Sequence, residues 1–382
     1  MRRTDDDRAG TIGAAASGYW RRRGVHTDPG QVVAAPGAPL LLLALLAAVG
    51  GAGAPPGAPG RAGVLLTRPC TDWYPPQARL LGRPVRGVPV PAECGGVPDP
   101  FALLETVRRA RAEGEEPRLL VLSVADDVTG TAAPPELLHE VCEAAADEGL
   151  VIVSDETWRD TSHSPHDTVI VSPAEMLEGS PHADGVVLLA GLGATLLPPG
   201  LHAGVARFPR QGRGRALGAA VREVLGALHA ELSAPVAAAV ADALAEPEPL
   251  RRERAAAARR HGACAAALYT AVTSAGALCR PPHAGRQLYA DLEQSRTALA
   301  ARGIADAEAL EAELVRRLGP YVSGGHRFGD DPRTLRFRLT TDVLTDTLTT
   351  PDASSPAESP EASETLDRVQ SVLADLTDGS PQ

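Results

Sequence analysis

The chain has 382 residues, enough for one large domain and a smaller one, each with its own core. Its net charge of −11 at pH 7 argues against nucleic acid or an anionic membrane as partner, since either asks for a basic face. All 37 basic residues are arginine, so chemistry that needs a lysine amine, such as a Schiff base to a carbonyl compound, has no side chain to carry it.

The N-terminal stretch MRRTDDDRAG has no apolar region behind its charges, so no secretory signal is expected. The run PLLLLALLAAV (39–49) is too short to span a bilayer and reads as a buried helix. Residues 50–63, GGAGAPPGAPGRAG, are low in complexity and read as a flexible surface loop. Residues 64–67, 118–124, 150–156 and 185–191 are short Val/Leu-rich runs bounded by polar or Gly/Pro segments, and each predicts a strand. Between two of them, residues 134–149 predict a helix. Leu137, Leu138, Val141, Cys142 and Ala145 share one face, and Gly149 stops it. Continuous apolar strands with crossover helices imply a mostly parallel sheet covered on both sides.

From about 212 to 315 the chain is rich in Ala, Arg and Glu with helical periods, and the basic run 251–260 reads as a solvated helix face. Residues 287–292 and 334–341 alternate as strands of a second domain. Residues 351–364 read as an acidic linker, and 365–376 as an amphipathic helix that docks back. The expected fold class is α/β, with a smaller C-terminal α+β domain. The expected division is an N-terminal arm and helix (1–30), a large domain (31–215), a small domain (216–350), and a linker with its helix (351–382). Cys70, Cys94, Cys142, Cys264 and Cys279 are odd in number and lack a C-x-x-C pair, which predicts free thiols in a reducing, cytoplasmic setting. No metal site is expected.

Four segments in order carry a resemblance: GYWRRRGVHTDPGQVVAAPGAPLLLLALL (18–46), SVADDVTGT (123–131), VSDETWRD (153–160) and VVLLAGLGATLLPPGLHAGVARFP (186–209). Each is weak alone, but their order and spacing resemble the class I/II aminotransferases, the fold type I pyridoxal-phosphate enzymes, over about residues 18 to 345. The resemblance implies that Asp155 stands where a buried carboxylate holds the proton on the cofactor's ring nitrogen; capping at a strand end is its competing role. It places the family's Schiff-base lysine on Ala194. The phosphate-anchoring Ser and Arg fall on Gly191 and His202, and Gly193 replaces a second Ser. His202 is the candidate base, with a plain surface histidine as the alternative; His163 and His166 are further candidates by position only.

The same resemblance puts Asp127 in place of an Asn that donates to the cofactor, with Val128 for a Pro and Thr129 and Gly130 kept. Trp158 stands for a Tyr, and Thr71 stands where an aromatic would stack, with Trp73 beside it. Tyr74 is expected to reach a phosphate, within the chain or across a dimer interface, and Arg336 or Arg338, with Arg338 favoured, to grip a substrate carboxylate as a bidentate fork, with ordinary surface pairing as the alternative. Only about seventeen residues precede the first matching helix, so either the family's N-terminal arm is lost or the true start lies upstream. The function these substitutions imply is a non-transaminating pseudoenzyme with no covalent cofactor, assembled as a homodimer or with an active paralogue. The alternatives are a repurposed biosynthetic enzyme, either cofactor-free or using pyridoxal or pyridoxamine phosphate without a covalent bond, and a decaying gene without selected function.

Overall fold

The computed structural model describes residues 2–51, 62–347 and 359–378. Seven strands form the large sheet: β1 (Val32–Ala35), β2 (Ala62–Arg68), β3 (Val85–Pro89), β4 (Glu116–Ser123), β5 (Val151–Asp155), β6 (Val186–Gly191) and β7 (Gly204–Arg207). Their order is β1-β7-β6-β5-β4-β2-β3. The strands from β2 to β6 run parallel, and β7 is antiparallel to both β6 and β1.

Alternation along the central strands sends side chains into two cores, one on each face. Leu120, Leu122, Ile152 and Leu188 enter one; Leu119, Val121, Val151, Val153, Val187 and Leu189 enter the other. That is why these strands read as unbroken apolar runs. The helix Ala38–Gly51 covers the second face with Leu41, Leu42, Leu45 and Leu46, each almost wholly buried and each stabilising by roughly 1.5–3 kcal/mol. The helix Pro135–Asp147 covers the first through Leu138, Val141, Cys142 and Ala145. The N-terminal helix Arg2–Arg21 is no detached arm, because Ile12, Ala16, Tyr19 and Trp20 belong to that same core.

The smaller sheet holds β8 (Leu278–Cys279), β9 (Gln287–Asp291), β10 (Val322–Gly324) and β11 (Arg336–Thr340), ordered β10-β11-β9-β8 and antiparallel throughout. The helix Pro360–Thr377 does dock back, burying Val369, Val372, Leu373 and Leu376 in the core of this sheet.

Two expectations need correction, the solvated basic run and the loop at 50–63. The small domain expected from 216 opens on helices that pack against the large sheet. Leu217, Val221 and Leu225 of helix Gly212–Ala227 pack with the large-sheet core, as do Val240 and Leu244 of helix Ala234–Ala245. The change comes within the helix Glu248–Ser274, whose Cys264, Leu268 and Val272 face the small sheet. The basic run 251–260 is not wholly solvated, because Arg254 turns inward to Asp160 and Glu246. Of the expected loop 50–63, Gly50 and Gly51 close a helix, Ala62 and Gly63 open β2, and 52–61 lie outside the described residues, as do 351–358 of the expected linker. Among the described residues no helix is long and apolar enough to cross a membrane.

The carboxyl ends of β4, β5 and β6 lie side by side, with Ser123 paired to Asp155 and Asp155 to Leu189. Sites in open α/β sheets form at such an edge.

Candidate active site

β5 ends at Asp155, which is 6% exposed. The Thr157 backbone N–H donates to its Oδ1 at 2.9 Å, and the Tyr74 hydroxyl donates to its Oδ2 at 2.6 Å. Thr157 also ties the two strand ends together, since its Oγ1 accepts from the Gly191 N–H at 2.8 Å. Burial raises the Asp155 carboxyl above its ordinary value, against the pull of these donors.

Beyond β4 the chain turns tightly. Asp126 Oδ1 accepts from the N–H groups of Val128 and Thr129 and from the Thr129 hydroxyl. Gly130 has φ +71, and a Cβ there would collide with the Gln287 carbonyl, so the turn needs glycine. The close approach brings the small sheet onto the turn. Gln287 Nε2 donates both to the Asp127 carbonyl, at 2.6 Å, and to its Oδ1, at 2.7 Å. The Thr71 hydroxyl reaches Asp127 Oδ2 at 3.4 Å.

Between these elements lies an open cleft of about 380 Å³. Its lining includes Thr71, Trp73, Asp127, Asp155, Trp158, Ala194 and His202, so the sheet edge brings these expected residues to one place. Neither arginine nor lysine is in the lining. Burial pushes the Asp127 carboxyl up to about 7; the nearby Arg338 charge opposes this, and Asp155, Asp126 and Asp72 add to it. A buried acid whose folded pKa is raised favours folding below its unfolded pKa, and that contribution is lost as pH rises toward 7. Asp127→Asn should therefore stabilise the protein by about 1–3 kcal/mol at pH 8 and leave it almost unchanged at pH 4. Urea unfolding at the two pH values measures this; equal effects at both would contradict the burial argument.

Other expected residues lie elsewhere. Tyr74 is 2% exposed, and its hydroxyl donates to the Asp155 carboxylate within this chain. Arg336 pairs with Asp291 at 2.8 Å and Asp330 at 3.2 Å, and borders a second cleft with Arg280 and Tyr289. Arg338 is outside the cleft lining. Its guanidinium carbon sits 4.5 Å from the Phe328 ring centroid, and its Nε is buried without a hydrogen-bond partner. His163 and His166 line a third cleft, beside Arg23, Arg254 and Asp160, and His163 Nε2 lies 3.0 Å from the Gly285 carbonyl oxygen. Sequence reasoning missed Thr157 and Gln287. The latter acts from 160 residues away, with no local signal to find it. Among the described residues, no cluster of His, Cys, Asp or Glu could hold a metal ion.

A seven-stranded sheet with one reversed strand, a small antiparallel sheet against its carboxyl edge and an aspartate at the end of β5 define an aminotransferase-like α/β protein of fold type I. The family model for aminotransferase class I and II matches residues 14–349. The chain belongs to that family, whose members normally depend on pyridoxal phosphate and are typically dimers.

Several solved structures share the fold. N-succinyldiaminopimelate aminotransferase from Mycobacterium tuberculosis is 22% identical with a TM-score of 0.72, over 95% of this chain and 83% of that one. The aromatic aminotransferase from Pyrococcus horikoshii OT3 is 16% identical with a TM-score of 0.73, over 95% and 85%. Aspartate aminotransferase from Thermus thermophilus with maleate is 20% identical with a TM-score of 0.70, over 95% and 81%. No curated protein matches the sequence.

Proposed function

We propose that this chain is a non-transaminating member of its family, a pseudoenzyme whose cleft holds a small molecule without a covalent bond. One observation carries the reading: the end of β6 and the segment after it bring Gly191, Gly193 and Ala194 into the cleft lining, and no lysine exists anywhere in the chain to take the place of Ala194. Without a lysine amine, neither a Schiff base to an aldehyde cofactor nor a lysine base for proton transfer is available.

The residues present also do not fit the cofactor's phosphate. A phosphate dianion needs guanidinium or ammonium charge, or several aimed N–H groups. The amino end of helix Ala38–Gly51 borders the cleft, but Pro39 in its first turn has no N–H. The Ala38 nitrogen is packed against β7, where a Cβ on Gly204 would lie 2.5 Å from it. The Gly191 N–H is already given to Thr157. His202 is the sole cation-capable side chain in the lining, which also holds two carboxylates. In this reading the protein is cytoplasmic, where its five free thiols stay reduced, and it pairs with a second copy or with an active paralogue.

The test is a half-reaction. Purified protein is mixed with pyridoxal phosphate and an amino-acid donor, and keto acid and pyridoxamine phosphate are measured. The reading expects neither above the protein-free rate. Protein-dependent formation of both, one for one, would overturn it.

A further inference from the structure

We propose that the cleft between Asp127, Asp155 and the two tryptophans is a binding site for a small organic cation, an amine or quaternary ammonium without a carboxylate or phosphate. The inference rests on the reading above that no aldehyde cofactor occupies this cleft. It adds the class of ligand that takes its place.

The argument begins with charge. Asp155 accepts from Tyr74 and from a backbone N–H; Asp127 accepts from Gln287 and from Thr71. All four donors are neutral. Each carboxylate keeps unused lone pairs, since two oxygens offer about four acceptor positions. Two carboxylates in one cleft lining, neither hydrogen-bonded to a cationic side chain, favour a cation that brings its own donors.

Shape points the same way. Trp73 and Trp158 are half-buried and line the cleft with these acids. Arg286 approaches the Trp158 ring at 6.0 Å from its centroid and is not in the lining. An ammonium between an indole face and a carboxylate combines ring attraction with ion pairing, and indole is the ring best suited to it. A cleft of about 380 Å³ is of the size that takes a small molecule. The absence of guanidinium from the lining separates the ligand from an amino acid, whose carboxylate would meet Asp127 and Asp155 unshielded. Arg338 acts on Asp127 from outside the lining and is the cation that lowers it; Asp155, Asp126 and Asp72 face it with like charge. Affinity for a cation should consequently rise between pH 6 and pH 8 as Asp127 ionises.

Calorimetric titration of the full chain tests the proposal with named probes: benzylamine and benzyltrimethylammonium as cations, benzyl alcohol as the neutral control, phenylglycine as the amine with a carboxylate, and inorganic phosphate. The expected result is saturable binding of both cations at millimolar concentration or below. Benzyl alcohol and phenylglycine should bind roughly tenfold or more weakly, as loss of a charged hydrogen bond implies. Phosphate should give no heat. Asp127→Asn should weaken benzylamine roughly tenfold. Ala194→Arg, which places a fixed cation in the cleft without touching the buried hydrogen bonds, should abolish it. The proposal is overturned if neither cation saturates, if alcohol, phenylglycine or phosphate binds as well as benzylamine, or if both variants bind benzylamine like the parent. The half-reaction above separates the two readings. Keto-acid formation sinks the non-transaminating reading, whereas failure of ammonium binding in a protein that forms no keto acid sinks this inference alone.

Discussion

An Ala194→Lys variant treated with pyridoxal and then borohydride should carry a reduced adduct at residue 194, where the parent protein carries none. The parent has no side-chain amine, so its only imine with the aldehyde forms at the α-amino terminus. Ala194 lines the same cleft as Asp155, so an amine there is accessible to an aldehyde. The sharper part of the expectation compares two aldehydes. Each charge-assisted hydrogen bond to a phosphate would add about 1.5–3 kcal/mol, or more than tenfold in affinity. With Pro39, Gly191 and His202 in the lining and no guanidinium there, pyridoxal and pyridoxal phosphate should label the Ala194→Lys protein at equal concentrations. Peptide mass spectrometry reads both results. A strong preference for the phosphorylated aldehyde would show that phosphate anchoring survives.

Arg23→Ala should destabilise the protein by about 3–5 kcal/mol, the range for breaking a buried ion pair by removing one partner. Arg23 donates to Asp160 Oδ2 at 2.6 Å and to Glu246 Oε1 at 2.6 Å, and its guanidinium lies 3.5 Å from the Tyr19 ring centroid. Arg254 bonds to the same two acids, Arg22 donates to Glu246 at 2.9 Å, and the Tyr19 hydroxyl donates to Asp160 at 2.8 Å. Three regions meet there: the end of the N-terminal helix, the turn after β5, and the long helix Glu248–Ser274. Removing Arg23 leaves two poorly solvated carboxylates with one full cationic partner fewer.

The cluster also sets an acid limit. Burial alone would raise Asp160 and Glu246, but the arginines win and hold each at about 2. Carboxyls depressed in the folded state stabilise it above their unfolded pKa, and that stabilisation is lost as pH falls from about 4 through 2. The parent should lose stability across that window more steeply than Arg23→Ala does. Chemical unfolding at pH 7 and pH 3 measures both effects, and a loss under about 1 kcal/mol at pH 7 would reduce the cluster to an ordinary surface network.

The contrast between that cluster and the cleft explains what the sequence could disclose. β4, β5 and β6 are legible because residues buried on both faces of a parallel sheet must all be apolar, and such runs have few other readings. Asp155 is singled out by the family resemblance, and the strand that carries it ends there. β1, β3 and β7 are not singled out in the same way, because VVAA, VRGVP and GVAR are too short or too mixed to stand apart from loops. Composition alone places no boundary near 216, because helices on the large sheet and on the small one are both Ala-rich, and only packing tells them apart. Long-range polar pairs leave no local trace. Arg23 meets Asp160 across 137 positions and Glu246 across 223, so a run such as 251–260 looks wholly solvated until Arg254 is seen turning inward. The same holds for Tyr74 and Asp155: a tyrosine in a helix start and an aspartate 81 residues later become one buried hydrogen bond only in the folded chain.

The central claim is that a family fold persists here around a cleft that no longer suits a phosphorylated aldehyde. Calorimetric titration of the unmodified protein with pyridoxal phosphate and with pyridoxamine phosphate tests it most directly, with absorbance followed in parallel. The account predicts no saturable heat from either compound at micromolar concentration and no new visible band beyond that of the α-amino terminus. One-to-one binding of either compound at micromolar concentration, weakened by His202→Ala, would contradict it and return the cleft to cofactor chemistry.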